Sequence, residues 1–259
     1  MWDRPEILNS LASVLIAVSV LLASYESMVA AANLPVFPLR RVSVTNAIEP
    51  SGVLRHVNQE QVQSIASSRL AGTFFTVDLE TARAAFAALP WVRNVQVRRS
   101  WPDRLDVAIE EHVAYANWSG AKLVNTHGEL FDAATIAGLP VFSGPPGSEG
   151  EVTRRYREFS AAFSKLGFAA RHIALSPRLA WELKLDTGLA LKLGRDQPRD
   201  PLTRRVQRFI ASYPETAGQI KGRPDLADLR YPHGYALHVP PGATPAEKET
   251  GKNTGMGKE

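Results

Sequence analysis

Leu89-Pro90-Trp91-Val92-Arg93-Asn94-Val95-Gln96-Val97-Arg98-Arg99-Ser100-Trp101-Pro102-Asp103-Arg104-Leu105-Asp106-Val107-Ala108-Ile109-Glu110-Glu111 is the stretch whose reading decides the fold. Val95 and Val97 alternate with Asn94, Gln96 and Arg98, and Leu105, Val107 and Ile109 alternate with Asp106, Ala108 and Glu110, which is the two-residue period of half-buried strands. Ser100-Trp101-Pro102-Asp103 between them is turn chemistry, because Pro fixes φ and Asp can bond its own backbone. The stretch reads as a β-hairpin with one face on a core.

Two helices upstream would supply that core. Val62, Ile65, Ala66 and Leu70 recur at helical spacing, with Asn58 placed as N-cap, Gln61 three residues on, and Val57 as a hydrophobic staple. Leu79, Ala82, Phe86 and Leu89 repeat the pattern; Asp78 caps it and Pro90 ends it. A strand near residues 40–44 completes an order of strand, helix, helix, strand, strand. A unit of about 70 residues is near the lower limit for independent folding.

At 259 residues, 44% hydrophobic and 22% charged, the chain has ordinary globular composition with room for one large or two small domains. Its net charge of +4 comes from 30 cationic and 26 anionic residues that are interspersed, a solvated mixed surface rather than a nucleic-acid footprint. The absence of cysteine excludes disulfides and thiolate metal sites. Residues 7–25 carry no charge and are long enough for a bilayer-spanning helix. Ala30-Ala31-Ala32 offers a signal-type cleavage site, but the apolar run is long for a signal and Asp3 and Glu6 dilute its basic flank. An uncleaved anchor is the better reading. Arg4 lies on one side of it and Arg40 and Arg41 on the other, so the charge rule does not orient it. Pro35 and Pro38 make a stiff spacer.

After Glu111 the pattern changes to short strands and turns. Residues 123–131 read as two strands around Gly128, and residues 139–142 as another extended piece. Val152, Tyr156, Phe159, Phe163 and Leu166 share one helical face. Residues 173–176, 180–185 and 189–193 predict three consecutive strands. Val206, Phe209, Ile210 and Tyr213 predict a helix ending before Pro214. Leu229-Arg230-Tyr231, a Pro232-His233-Gly234 turn and Tyr235-Ala236-Leu237-His238-Val239 then predict a closing hairpin. By loop length this half is α+β and mostly antiparallel. From Pro240 onward almost nothing is apolar, so residues 240–259 are expected to be a disordered tail.

No catalytic constellation assembles. Among His56, His112, His127, His172, His233 and His238 there is no zincin pair, and no nucleophile elbow or phosphate-binding loop is present. Glu110 and Glu111 point to opposite faces of a strand and read as a solvated strand end. No catalytic residue, metal ligand, cofactor, nucleic acid or small-molecule substrate is expected. The last strand is a better candidate: with only a tail after it, it can lie at a sheet edge and accept a strand from another chain. Tyr231 and Tyr235 would be its aromatic anchors and Arg230 a charged donor. The spacing equally permits Tyr235, Leu237 and Val239 to face the core.

The run Leu89-Pro90-Trp91-Val92, then Arg98-Arg99-Ser100-Trp101-Pro102-Asp103 and Glu110, after one apolar segment, resembles the FtsQ/DivIB family of bacterial cell-division proteins. Leu123-Val124-Asn125 with Gly128 and Phe131, Ser176-Pro177-Arg178, Leu193-Gly194-Arg195 and Asp228-Leu229-Arg230-Tyr231 with Gly234 are similar to further stations of that family. The resemblance implies a short cytoplasmic N-terminus (residues 1–6), a transmembrane helix (7–32), a linker (33–38), a POTRA domain (39–111) and a β domain (112–239). It implies a scaffold of the inner membrane, with both domains periplasmic, that works at the division septum. It implies that the C-terminal end of the β domain binds FtsB and FtsL by strand addition, through Arg178, Arg230, Tyr231, Gly234, Tyr235, Ala236, Leu237, His238 and Val239. The POTRA domain would contact early components such as FtsK. A POTRA-containing outer-membrane biogenesis or secretion component is the competing class, and it would need serial barrel strands in place of the two predicted helices.

Overall fold

The computed structural model describes residues 5–32, 38–70, 72–119, 122–220 and 222–241. The expectations for residues 1–4, most of the linker (33–37) and most of the tail (242–259) lie outside them. The chain divides into two compact units, Met1–His112 and Val113–Glu259.

The first unit begins with α1 (Pro5–Ala32). Within it Asn9–Ala32 is long and apolar enough to cross a bilayer, and none of this stretch is buried against protein. Leu11, Leu15, Ile16, Leu21 and Leu22 are all exposed. A helix bare and apolar on every side is solvated by lipid, and 24 residues at about 1.5 Å each exceed the ~30 Å of hydrocarbon to be crossed.

β1 (Arg41–Asn46), α2 (Gln59–Arg69), α3 (Leu79–Ala87), β2 (Val92–Ser100) and β3 (Arg104–Glu111) follow in the expected order. The sheet order is β1-β3-β2, with β3 parallel to β1 and antiparallel to β2. The capping box at Asn58 and Gln61 forms in both directions, at 2.8 and 3.1 Å, and Asp78 caps α3 through the Glu80 amide. Leu105, Val107 and Ile109 are fully buried with Ala82 and Phe86, so the alternation and the helical stripe meet in one core. Glu110 and Glu111 are not a solvated strand end. Glu110 pairs with Arg93 at 2.6 Å, and Glu111 accepts the amides of Arg55, His56 and Val57, each at 2.8 Å. A carboxylate at the end of β3 thus satisfies the backbone that leads into α2.

The second unit is a nine-stranded mixed sheet with helices. Its strands are β4 (Ala114–Trp118), β5 (Lys122–Asn125), β6 (Leu130–Phe131), β7 (Val141–Ser143), β8 (Ala170–Leu175), β9 (Ala180–Leu185), β10 (Ala190–Arg195), β11 (Leu226–Asp228) and β12 (Ala236–His238). They lie in the order β12-β11-β10-β9-β8-β7-β4-β5-β6. Five of the pairings are antiparallel. The β4–β7, β7–β8 and β10–β11 pairings are parallel. α4 (Glu149–Phe163) crosses between β7 and β8, and α5 (Leu202–Gln219) between β10 and β11, as parallel neighbours require.

Cross-strand register builds the core in a row. Phe142, Ile173, Leu183, Leu191, Ala227 and Leu237 stand opposite one another from β7 to β12. All but Leu237 are buried, and Phe159 and Phe163 of α4 and Phe209 of α5 belong to the same cluster. One residue along, the row Ala174, Glu182, Lys192, Asp228, Ala236 forms the opposite, polar face, as one-sided sheets do.

Two local expectations are corrected. α5 does not stop before Pro214 but runs through it to Gln219. Proline there forgoes one amide bond, and the turn beyond it is held by Thr216 Oγ1 donating to the Ser212 carbonyl at 2.9 Å and by the Tyr235 hydroxyl donating to Thr216 Oγ1 at 3.0 Å. The penultimate strand is Leu226–Asp228, three residues before the expected Leu229 to Tyr231.

Candidate functional site

β12 occupies one end of the larger sheet, and the backbone pattern says which of its groups are spent. Ala190 donates its amide to the Asp225 carbonyl at 2.8 Å and Leu229 donates to Lys192 at 2.9 Å, so odd-numbered residues of β11 face β10. Leu226 and Asp228 therefore face β12, where their register partners are His238 and Ala236. Asp225, in the bend just before β11, adds a bond outside this alternation, its amide donating to the His238 carbonyl at 3.1 Å. Antiparallel alternation then turns the amide and carbonyl of Leu237 outward, and among the described residues nothing pairs with them.

The rim is short but held from three directions. The Tyr235 ring packs edge-on against Phe209 at 5.0 Å, and its hydroxyl also accepts from Ser212 Oγ at 3.3 Å. Arg208 donates to the carbonyls of Tyr231 at 2.9 Å and Pro232 at 2.8 Å, clamping the turn between β11 and β12 onto α5. His238 Nδ1 lies 2.7 Å from Asp225 Oδ1, and this contact is the main reason the Asp225 carboxyl sits below the usual carboxylate range.

Each expected site residue has a definite place. Tyr231 is 54% exposed at the turn. Arg230, also exposed, forks onto Asp228 at 2.8 and 2.5 Å and is the first cause of that carboxyl's lowered pKa. Ala236 and His238 are exposed on the polar face, while Gly234, Tyr235, Leu237 and Val239 are half-buried. Tyr235 and Leu237 pack on the core. Tyr235→Ala would thus remove a core contact as well as any partner contact, unlike Tyr231→Ala. Arg178 is exposed in the turn joining β8 and β9. β9 and β12 are separated by two strands, so that turn lies about 14 Å along the sheet end from the rim.

A residue the sequence reading passed over explains the geometry beneath the site. Arg205, 3% exposed, donates through Nη1 to the carbonyls of Leu193 at 2.5 Å and Arg195 at 3.0 Å, and through Nε to Asp200 at 2.7 Å. β10 carries a register shift between Lys192 and Gly194, and Gly194 has φ +78. A Cβ there would lie 2.9 Å from Arg230 Cγ and 3.2 Å from Arg205 Nη1, so only glycine lets both arginines approach. The sequence signal was available: Leu202, Arg205, Val206 and Phe209 fall on one helical stripe, and a cation on an apolar stripe asks for a buried partner.

Among the described residues no three His, Asp or Glu side chains gather as a metal site. The family model described as POTRA domain, FtsQ-type, matches residues 37–112, and that described as cell division protein FtsQ/DivIB, C-terminal, matches residues 114–230. Similar over most of their length are proteins named cell division protein FtsQ from three organisms. That of Burkholderia pseudomallei is 39% identical, covering 92% of this chain and 94% of the relative. That of Nitrosospira multiformis is 37% identical, with 91% and 98% covered. That of Neisseria gonorrhoeae is 30% identical, with 96% and 100% covered.

Proposed function

The chain belongs to the FtsQ/DivIB family of cell-division proteins, and from that premise we propose that it is a non-enzymatic scaffold that recruits FtsB and FtsL through the rim of its larger sheet. It would span the inner membrane once, with its N-terminus cytoplasmic and both units periplasmic, and would concentrate at the division septum. Its POTRA domain would add contacts to early components such as FtsK.

The observation carrying this reading is the outward amide and carbonyl of Leu237 on the terminal strand of the sheet. Buried backbone groups need partners, and an exposed rim supplies them to an incoming strand as main-chain bonds. The rows of the sheet say what such a strand should look like. It would place an apolar side chain beside Leu237, continuing the buried row, and small or polar ones beside Ala236 and His238. Tyr231, exposed at the end of the rim, would supply the aromatic anchor.

Co-purification of the full chain with FtsB and FtsL from detergent-solubilised membranes tests it. Tyr231→Ala is expected to weaken the complex about tenfold while leaving thermal unfolding unchanged. Leu237→Pro removes the outward amide without touching a bond to β11 but also removes the Leu237 core contact, so it is compared with Leu237→Ala, which loses that contact and keeps the amide; capture should be abolished by the proline alone. Undiminished capture by both Tyr231→Ala and Leu237→Pro would remove the rim as the partner site.

A further inference from the structure

The tip of the β2–β3 hairpin, which the rim contact does not use, carries an exposed tryptophan among arginines. Trp101 is 76% exposed. Arg40, Arg41, Arg98, Arg99 and Arg104 are exposed around it. Register gathers them: Arg41 stands opposite Arg104, and Arg104 opposite Ser100. The amides of Arg40 and Arg41 both donate to the Asp103 carbonyl, at 3.0 and 3.3 Å. Arg99 reaches the Val77 carbonyl at 2.6 Å, joining the loop before α3 to the same end. Three carboxylates face the group: Asp103 pairs with Arg41 at 2.8 Å, Asp106 with Arg104 at 2.9 Å and Arg98 at 3.5 Å, and Asp78 feels Arg99. Five guanidinium groups outnumber them, so the tip is net positive.

This end of the domain is also the end from which the chain leaves the membrane helix. Thr73 Oγ1 donates to the carbonyl of Ala32, the last residue of α1, at 2.7 Å, and Thr73 bridges Pro38. Arg40 is eight residues beyond Ala32, a reach of at most about 28 Å of chain. An indole with an apolar body and one N–H donor suits the headgroup layer of a bilayer, and guanidinium forks match phosphate oxygens.

We propose that the β2–β3 tip is a membrane-surface contact: Trp101 lodges among lipid headgroups while Arg40, Arg41, Arg98, Arg99 and Arg104 bind anionic phosphates, holding the POTRA domain against the bilayer that α1 spans. The contact depends on α1 as anchor and is independent of FtsB, FtsL and the larger sheet.

The test uses the full chain reconstituted in vesicles containing brominated lipids, either phosphatidylcholine alone or mixed with phosphatidylglycerol. The chain has five tryptophans, so the Trp101 signal is taken as wild type minus Trp101→Phe. Bromine should quench that difference signal in the anionic vesicles. Arg40→Gln, Arg98→Gln and Arg104→Gln together should lower the contact, by up to about fivefold for each cation removed. Should that variant fold poorly, raising salt from about 0.05 to about 0.5 M on the wild-type chain should release the quenching by screening alone. No Trp101-specific quenching in anionic vesicles would overturn the proposal and leave the tip to a protein occupant. Quenching equal in neutral and anionic vesicles, and indifferent to salt, would overturn the role of the arginines.

Discussion

β10 and β12 belong to the same sheet, and both present backbone groups that the strand ladder leaves over. At the irregularity of β10 the carbonyls of Leu193 and Arg195 are satisfied from within the chain, by Arg205 of α5. On β12 the amide and carbonyl of Leu237 find no partner among the described residues. A vacancy inside a domain must be filled by the domain's own side chains, because water cannot reach it. A vacancy on the rim costs little in water and is available to a second chain. The two strands differ less in residue chemistry than in position, and position commits one to stability and leaves the other open to the association proposed above.

The largest effect expected from disturbing this contrast is on the filled vacancy. Arg205→Ala removes the donor to two carbonyls and leaves Asp200 only its longer contact with Arg208, at 3.8 Å, and should destabilise the second unit by about 3 kcal/mol. Denaturant unfolding of the full chain, followed through the signal of the buried Trp181 taken as the difference from Trp181→Phe in each background, measures it; a loss under about 1 kcal/mol would mean that solvent replaces the guanidinium and that the interior is not dry.

The rim should respond far less. Its tie from Asp225 to His238 is exposed, and the Asp225 carboxyl is lowered by that contact. Because the folded-state value is the lower one, this contribution is complete above the ordinary aspartate pKa of about 4 and is lost as pH falls through the lowered value. The protection of the His238 amide against exchange should therefore hold from neutrality to about pH 4, decline below it, and lose that pH dependence in Asp225→Asn. Unaltered dependence in the variant would assign the tie elsewhere.

Much of this was legible in the residues. The strict alternation of Leu105, Val107 and Ile109, and the reciprocal cap of Asn58 and Gln61, are local rules with nothing in the tertiary structure opposing them. β4 escaped notice because Ala116, Asn117 and Trp118 are all buried, so a strand covered on both sides shows no alternation to read. The order that places β7 between β4 and β8 rests on parallel pairings distant in sequence, and local pattern carries no trace of them. Pro214 misled for a different reason: tertiary contacts from Tyr235 and Phe168 to the last turns of α5 outweigh one missing helical bond. At the rim, the choice between core and partner for Tyr235 to Val239 was posed by the sequence as exclusive. In the fold the Leu237 side chain packs inward while its backbone points outward, so the two readings do not exclude one another.

The most direct test of strand addition is residue-resolved amide exchange across β12 in the full chain, alone and bound to FtsB and FtsL. Alone, the amides of Ala236 and His238 should be protected by β11 and that of Leu237 should exchange freely; in the complex, Leu237 should become protected as well. A Leu237 amide already protected in the isolated chain, or one that stays open when the partners bind, would contradict it.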